Sequence, residues 1–219
     1  MAENGGGGRS RGARAGALIG ATLETLGATG AALWTSLRWE TSLPWLLIPI
    51  GLLGLRRRSF SDHGLDLRFT PPPLRTHLAL AAASLALYGT LHAVFALAVR
   101  HLSFAPAPPV NPLVGLIEEF LLTGVPEEVF FRGFVQTRWN LALGKPWSIF
   151  GARVGPAVLV QAALFVLCHL VSGDWTRLPV FFFALLAGWL RERSGSVLPP
   201  AVYHAVANLW YRWLEDSFR

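Results

Sequence analysis

Three groups of residues in this chain could do chemistry, and each sets a reactive side chain one helical turn from a companion. The densest is Pro126-Glu127-Glu128-Val129-Phe130-Phe131-Arg132. At about 100° per residue, Glu128 and Arg132 lie about 40° apart on a helix and suit an i,i+4 ion pair. Glu127 falls about 100° from Glu128 and about 140° from Arg132, so it faces elsewhere. One carboxylate is then neutralised while the other is free to face a cavity and act as a general base. The competing reading has both glutamates serving one arginine network. Pro126 suits a first helical turn or a kink, and Gly124 strengthens the expectation of a break there. The second group is Phe165-x-x-x-His169, where the histidine is either a catalyst or a helix-packing hydrogen bonder. The third is His204-x-x-x-Asn208, two polar groups on one face of an apolar stretch. They could donate together to an oxyanion or act as interhelical hydrogen-bond glue.

The elements that must position these residues follow from composition. Of 219 residues, 53% are hydrophobic and only 15% charged, against roughly 25% charged in soluble domains. An ordinary water-soluble globule is not expected. The single cysteine, Cys168, excludes a disulfide scaffold and multi-cysteine metal sites. The net charge of +6 in so apolar a chain marks cytoplasmic loops rather than a nucleic-acid surface. Apolar runs fall at 17–37, 41–55, 77–99, 113–139, 154–171, 178–190 and 197–211. They predict an all-α, polytopic transmembrane helical bundle of about seven spans, since the alternation of a membrane barrel is missing. Runs 41–55, 178–190 and 197–211 are shorter than the roughly 20 residues of a full span.

Residues 1–16 are Gly- and Arg-rich and read as a disordered basic arm. With that arm in the cytoplasm, loop 56–76 (Arg56, Arg57, Arg58, Arg68, Arg75), then Arg138, Lys145 and Arg153, then Arg191 and Arg193 also fall inside. The N-terminus is therefore expected in the cytoplasm. Arginine in place of lysine throughout, save Lys145, with abundant Ala and Gly, suggests a bacterial inner membrane. In this topology straight helices leave His169 and His204 several ångströms apart in depth. Glu118-Glu119 has Thr, not Arg, at position 123 and reads as a cavity rim or interfacial pair. His92 and Glu24 are single intramembrane polar groups that could pair. Cys168 diverges by about 100° from His169 and reads as packed. Ser36, Ser84 and Ser172 lack a G-x-S-x-G context.

The ordered set Glu127-Glu128-x-x-x-Arg132, Phe165-x-x-x-His169 and His204-x-x-x-Asn208 resembles the CPBP/Abi family. That family holds type II CAAX prenyl endopeptidases, bacteriocin-processing proteins and immunity proteins, and comprises glutamate-dependent intramembrane proteases. The resemblance covers residues 111–214 and implies a catalytic core of four motif-bearing helices. Residues 17–110 would be accessory helices and 215–219 a short tail. By the resemblance, Glu127 is the base that activates water, with Glu128 and Arg132 its companion acid and structural partner. His169 holds or polarises the water, Phe165 supports it, and His204 and Asn208 stabilise the oxyanion. The implied activity is an endopeptidase acting on a membrane-associated or exported protein, whose C-terminal region is one candidate substrate. The implied partners are the lipid bilayer and that peptide, with no nucleic acid. No cofactor is expected. A zinc site from Glu127, His169 and His204 is the chemical alternative, although H-E-x-x-H is absent. A non-catalytic binding or immunity protein of the same fold is the functional alternative. A transporter would call for paired broken helices, and only one break is legible.

Overall fold

The computed structural model describes residues 11–66, 74–171 and 173–219. Each apolar run becomes a helical stretch. Helix α1 spans Arg11–Trp39 and α2 Leu43–Leu55, and α3 (Leu74–Val94) continues as a π-helical turn, Phe95–Val99. A single rod over 112–143 contains α4 (Pro112–Glu118), a π-helical turn (Glu119–Gly124), α5 (Val125–Glu128), a second π-helical turn (Val129–Val135) and α6 (Gln136–Leu143). Helices α7 (Ala157–Leu170), α8 (Val180–Ser194) and α9 (Leu198–Ser217) follow. Proline and glycine punctuate them. Prolines occupy the first turns of α2, α4 and α9, where a missing N–H costs nothing. Gly195 ends α8 at φ 73°, its N–H donating to the Arg191 carbonyl.

The rod is the central element. It packs against α1, α2, α7, α8 and α9, while α7 lies on α8 and α3 on α9. The main core joins Ala28 and Ala32 of α1, Trp45 and Leu53 of α2, Phe130, Phe131 and Phe134 of the rod, Phe165 of α7 and Ala184 of α8. Trp45 meets the Phe130 ring edge-on at 4.8 Å, and Phe131 meets Phe165 at 4.8 Å. Lipid tails are as apolar as these rings, so such contacts stabilise through close fit and dispersion rather than removal from water. Leu23, Leu47, Leu87, Leu91, Leu122, Leu167 and Phe182 are among many large apolar side chains left exposed. An apolar exterior on this scale marks a surface built to contact something other than water.

Among the described residues one helix, Arg75–Val99, is long and apolar enough to cross a membrane. Leu43–Leu55 and Ala157–Leu170 are shorter apolar helices. The break expected at Gly124–Pro126 is instead a continuous rod widened by π-helical turns on both sides of α5. Helix α1 starts at Arg11, so residues 11–16 of the expected arm are helical, whereas 1–10 lie outside the described residues. Arg68 and Ser172 lie outside them too. Glu24 does not meet His92. It accepts from Arg58 at 2.6 Å and Arg138 at 2.9 Å, with Arg56 at 3.3 Å. His92 instead lies 3.7 Å from Glu215. The all-α reading omitted one small antiparallel hairpin, β1 (Trp147–Ile149) with β2 (Ala152–Val154). Its two turn residues, Phe150 and Gly151, both have positive φ, the mirror-image turn that suits a two-residue hairpin.

Candidate active site

The site forms where the rod crosses α9. Glu128 has its side chain fully buried, and its Oε1 accepts from Arg132 Nη1 at 2.9 Å and from His204 Nδ1 at 2.8 Å. A carboxylate only accepts, so Nδ1 of His204 carries the proton in that bond. Arg132 is also fully buried. Its guanidinium carbon lies 4.5 Å from the Phe165 ring centroid and 5.7 Å from that of Phe183, and Nη2 reaches the Ala184 carbonyl at 3.5 Å. A desolvated ion pair persists only where such extra partners satisfy it. Here the rings and a backbone carbonyl supply part of them, while Glu128 Oε2 and Arg132 Nε stay buried without a hydrogen-bond partner.

Glu127 is one residue earlier and has none of these partners. Its Oε2 lies 3.9 Å from His204 Nε2, beyond hydrogen-bond length. That oxygen is buried without a hydrogen-bond partner, on a side chain 15% exposed. His204 therefore sits between two carboxylates, bonded to Glu128 through one nitrogen and facing Glu127 with the other.

His169 joins the same neighbourhood through Phe165. Its Nδ1 donates to the Phe165 carbonyl at 2.9 Å, and its ring lies 4.4 Å from the Phe165 ring. That ring is 6.0 Å from His204. Phe165 thus lies against His169, Arg132 and His204 and links the two histidines through one ring. Cys168, the neighbour of His169, packs against the main core.

Asn208 is placed differently from expectation. Its Nδ2 donates to Glu119 Oε2 at 2.7 Å. Glu119 is 3% exposed and also pairs with Arg212. The Glu118-Glu119 pair is therefore not a rim: Glu118 is exposed, while Glu119 is buried against α9. The missed signal was Arg212, which extends His204-x-x-x-Asn208 by one more turn into a three-residue polar stripe. An amide nitrogen has two protons, so one N–H of Asn208 remains for another acceptor.

Close contacts fix this geometry. A Cβ at Gly124 would stand 2.9 Å from the Ala201 carbonyl, so glycine lets the rod approach the start of α9. Behind the site, a Cβ at Gly188 would lie 2.7 Å from Gln161 Nε2 and 2.9 Å from Gln136 Oε1. Gln161 donates to the Ala184 carbonyl at 2.9 Å, and Gln136 to the Gly188 carbonyl at 3.0 Å and to Glu192 at 2.6 Å. These fully buried glutamines tie α6, α7 and α8 together, a role not read from the sequence, where Gln161 only interrupts an apolar run. Among the described residues no three His, Cys, Asp or Glu side chains are grouped as a metal-ligand set.

The site thus joins a doubly bonded acid, Glu128, to an adjacent acid without a hydrogen bond, Glu127, beside histidines from two other helices. Residues 109–210, a little under half of the chain, match the family model described as type II CAAX prenyl endopeptidase Rce1-like. Over those residues the match falls in the family that the motifs resemble, one of membrane-embedded CAAX-protease-type peptidases. No curated protein and no solved structure gives a match to the chain.

Proposed function

We propose that this protein is an intramembrane endopeptidase in which Glu127 is the general base. The observation that carries the reading is the asymmetry of the two adjacent acids. Glu128 accepts hydrogen bonds from both Arg132 and His204 at Oε1, whereas Glu127 accepts none and stands 3.9 Å from His204 Nε2; each acid keeps one buried oxygen, Oε2, without a hydrogen-bond partner. In the proposed cycle Glu127 takes a proton from water and the resulting hydroxide adds to the scissile carbonyl. His204 acts as the imidazolium, Nδ1–H on Glu128 and Nε2–H donated to the oxyanion, beside the second N–H of Asn208. The tetrahedral intermediate collapses, the C–N bond breaks, and the protonated Glu127 returns its proton to the leaving amine. His169, held by Phe165, flanks the water. Glu128 is a positioning residue, since it acts by orienting His204, as the carboxylate of a catalytic triad orients its imidazole.

The substrate in this reading is a peptide bond of a membrane-associated or exported protein. The protein would sit in a bacterial inner membrane with its N-terminus inside, hydrolysing without a metal. The test compares the masses of membrane and exported proteins in cells carrying the wild type or Glu127→Gln, followed by recovery of peptides trapped on the variant. Products that appear only with the wild type support hydrolysis. An unchanged mass profile with an intact cellular phenotype in Glu127→Gln would replace it with the binding-protein reading.

A further inference from the structure

At one end of the bundle, three segments that are far apart in sequence enclose a cleft of about 470 Å³. It is lined by Arg58, Asp62 and His63 from the turn after α2, Arg138 and Asn140 from α6, Lys145 beyond it, and Arg191 from α8. These are the segments whose basic residues the charge pattern puts on the cytoplasmic side. The cations outnumber their partners. Arg56, Arg58 and Arg138 share the single carboxylate of Glu24, and Lys145 pairs with Glu192. Arg191 has no carboxylate partner among the described residues, and its Nη2 donates to the Asp62 backbone carbonyl at 3.1 Å. Of these, four cations line the cleft (Arg58, Arg138, Lys145 and Arg191) against the carboxylates of Glu24, Glu192 and Asp62, an excess of one positive charge.

Two buried nitrogens of cleft-lining side chains have no partner: Arg191 Nε and His63 Nε2. Arg191 is 6% exposed and His63 3%. The arginine is held in place by Gly64, at φ 72°, where a Cβ would stand 2.5 Å from Nε. His63 Nδ1 donates to the Ser59 carbonyl at 2.7 Å. Burial, the largest effect, and the nearby arginines lower the pKa of His63 against that bond, so the ring is neutral and offers a lone pair at Nε2. A guanidinium without a counter-ion next to a lone-pair acceptor suits an anion that also carries a hydroxyl. The volume lies in the range of pockets that hold small molecules.

We propose that this cleft binds a phosphoryl group, either the headgroup of an anionic phospholipid or a soluble phosphate. Arg191 is the central ligand and Lys145 a rim contact. The inference is independent of hydrolysis: Glu127→Gln should bind as the wild type does, so the two readings fail separately. The test measures the melting temperature of the full chain in lipid nanodiscs. One arm compares phosphatidylcholine with phosphatidylglycerol mixed into phosphatidylcholine. The other adds inorganic phosphate to phosphatidylcholine discs, against chloride at equal ionic strength. Binding predicts a rise of at least about 4 °C in one arm. A rise only with phosphatidylglycerol identifies the headgroup, and a rise with phosphate identifies the soluble anion. Arg191→Gln should abolish the rise and Lys145→Gln, at an exposed side chain, should reduce it, whereas Arg100→Gln, exposed and outside the cleft, should keep it. If Arg191→Gln does not fold, Lys145→Gln decides alone. No rise in either arm, a rise undiminished by the cleft variants, or its loss in Arg100→Gln overturns the proposal.

Discussion

The rod carries two adjacent acid pairs, Glu118-Glu119 and Glu127-Glu128, and each pair divides its work differently. In both, the second acid is buried and bonded to α9, Glu119 to Asn208 and Arg212, Glu128 to His204. The first acids differ. Glu118 is exposed, whereas Glu127 is mostly enclosed and accepts no hydrogen bond, with only the His204 ring 3.9 Å away. A carboxylate in solvent has water to satisfy it. One enclosed without a partner bears a desolvation cost that is useful only if a reacting molecule satisfies it in turn. The comparison separates acids that hold the two helices together from the one acid left available for chemistry.

Substitutions along the rod can break or sharpen that contrast. The largest effect is expected from Glu127→Gln, which should lower turnover by about 10²–10⁴-fold with an unchanged melting temperature. A comparable loss of folding in that variant would make Glu127 another structural acid. Arg132→Leu leaves Glu128 buried without its main counter-charge and should cost about 3–5 kcal/mol, read as a thermal shift in detergent or nanodiscs. Gly124→Ala pushes a methyl group toward the Ala201 carbonyl and should cost about 1–3 kcal/mol. Turnover should fall with it, because α9 carries His204. Glu119→Ala removes the acceptor of Asn208 and the partner of Arg212, whose side chain is 60% exposed. That pairing contributes little, about 1 kcal/mol or less, so the expected signature is a loss of kcat larger than the loss of stability. Glu118→Gln should be silent, within about 0.5 kcal/mol.

Much of the site was legible because its members sit one turn apart on helices. Glu128 with Arg132 and the shared face of His204 and Asn208 need only 100° per residue. Counting fails where the helix changes pitch. On a straight α-helix Glu119 and Glu128 would lie about 180° apart, yet both reach α9. The π-helical turn at Glu119–Gly124 takes up extra residues within the rod and brings the two acids to a common side. Gly124 and Pro126 signalled an irregularity there but not its kind. The triple arginine contact of Glu24 was unreadable for another reason: its partners come from segments about 30 and more than 100 residues away, and local periodicity carries no such information. The hairpin at 147–154 is only eight residues long, and its one marker is the Phe150-Gly151 turn.

The account depends on Glu127 being the group that activates water. The direct measurement uses purified protein in nanodiscs with a peptide pool in ¹⁸O-labelled water, followed by mass spectrometry of the new C-termini. The wild type should place one ¹⁸O in each new carboxylate, Glu118→Gln should do the same, and a folded Glu127→Gln should form labelled product about 10²–10⁴-fold more slowly. Labelled products from Glu127→Gln at the wild-type rate would contradict the assignment.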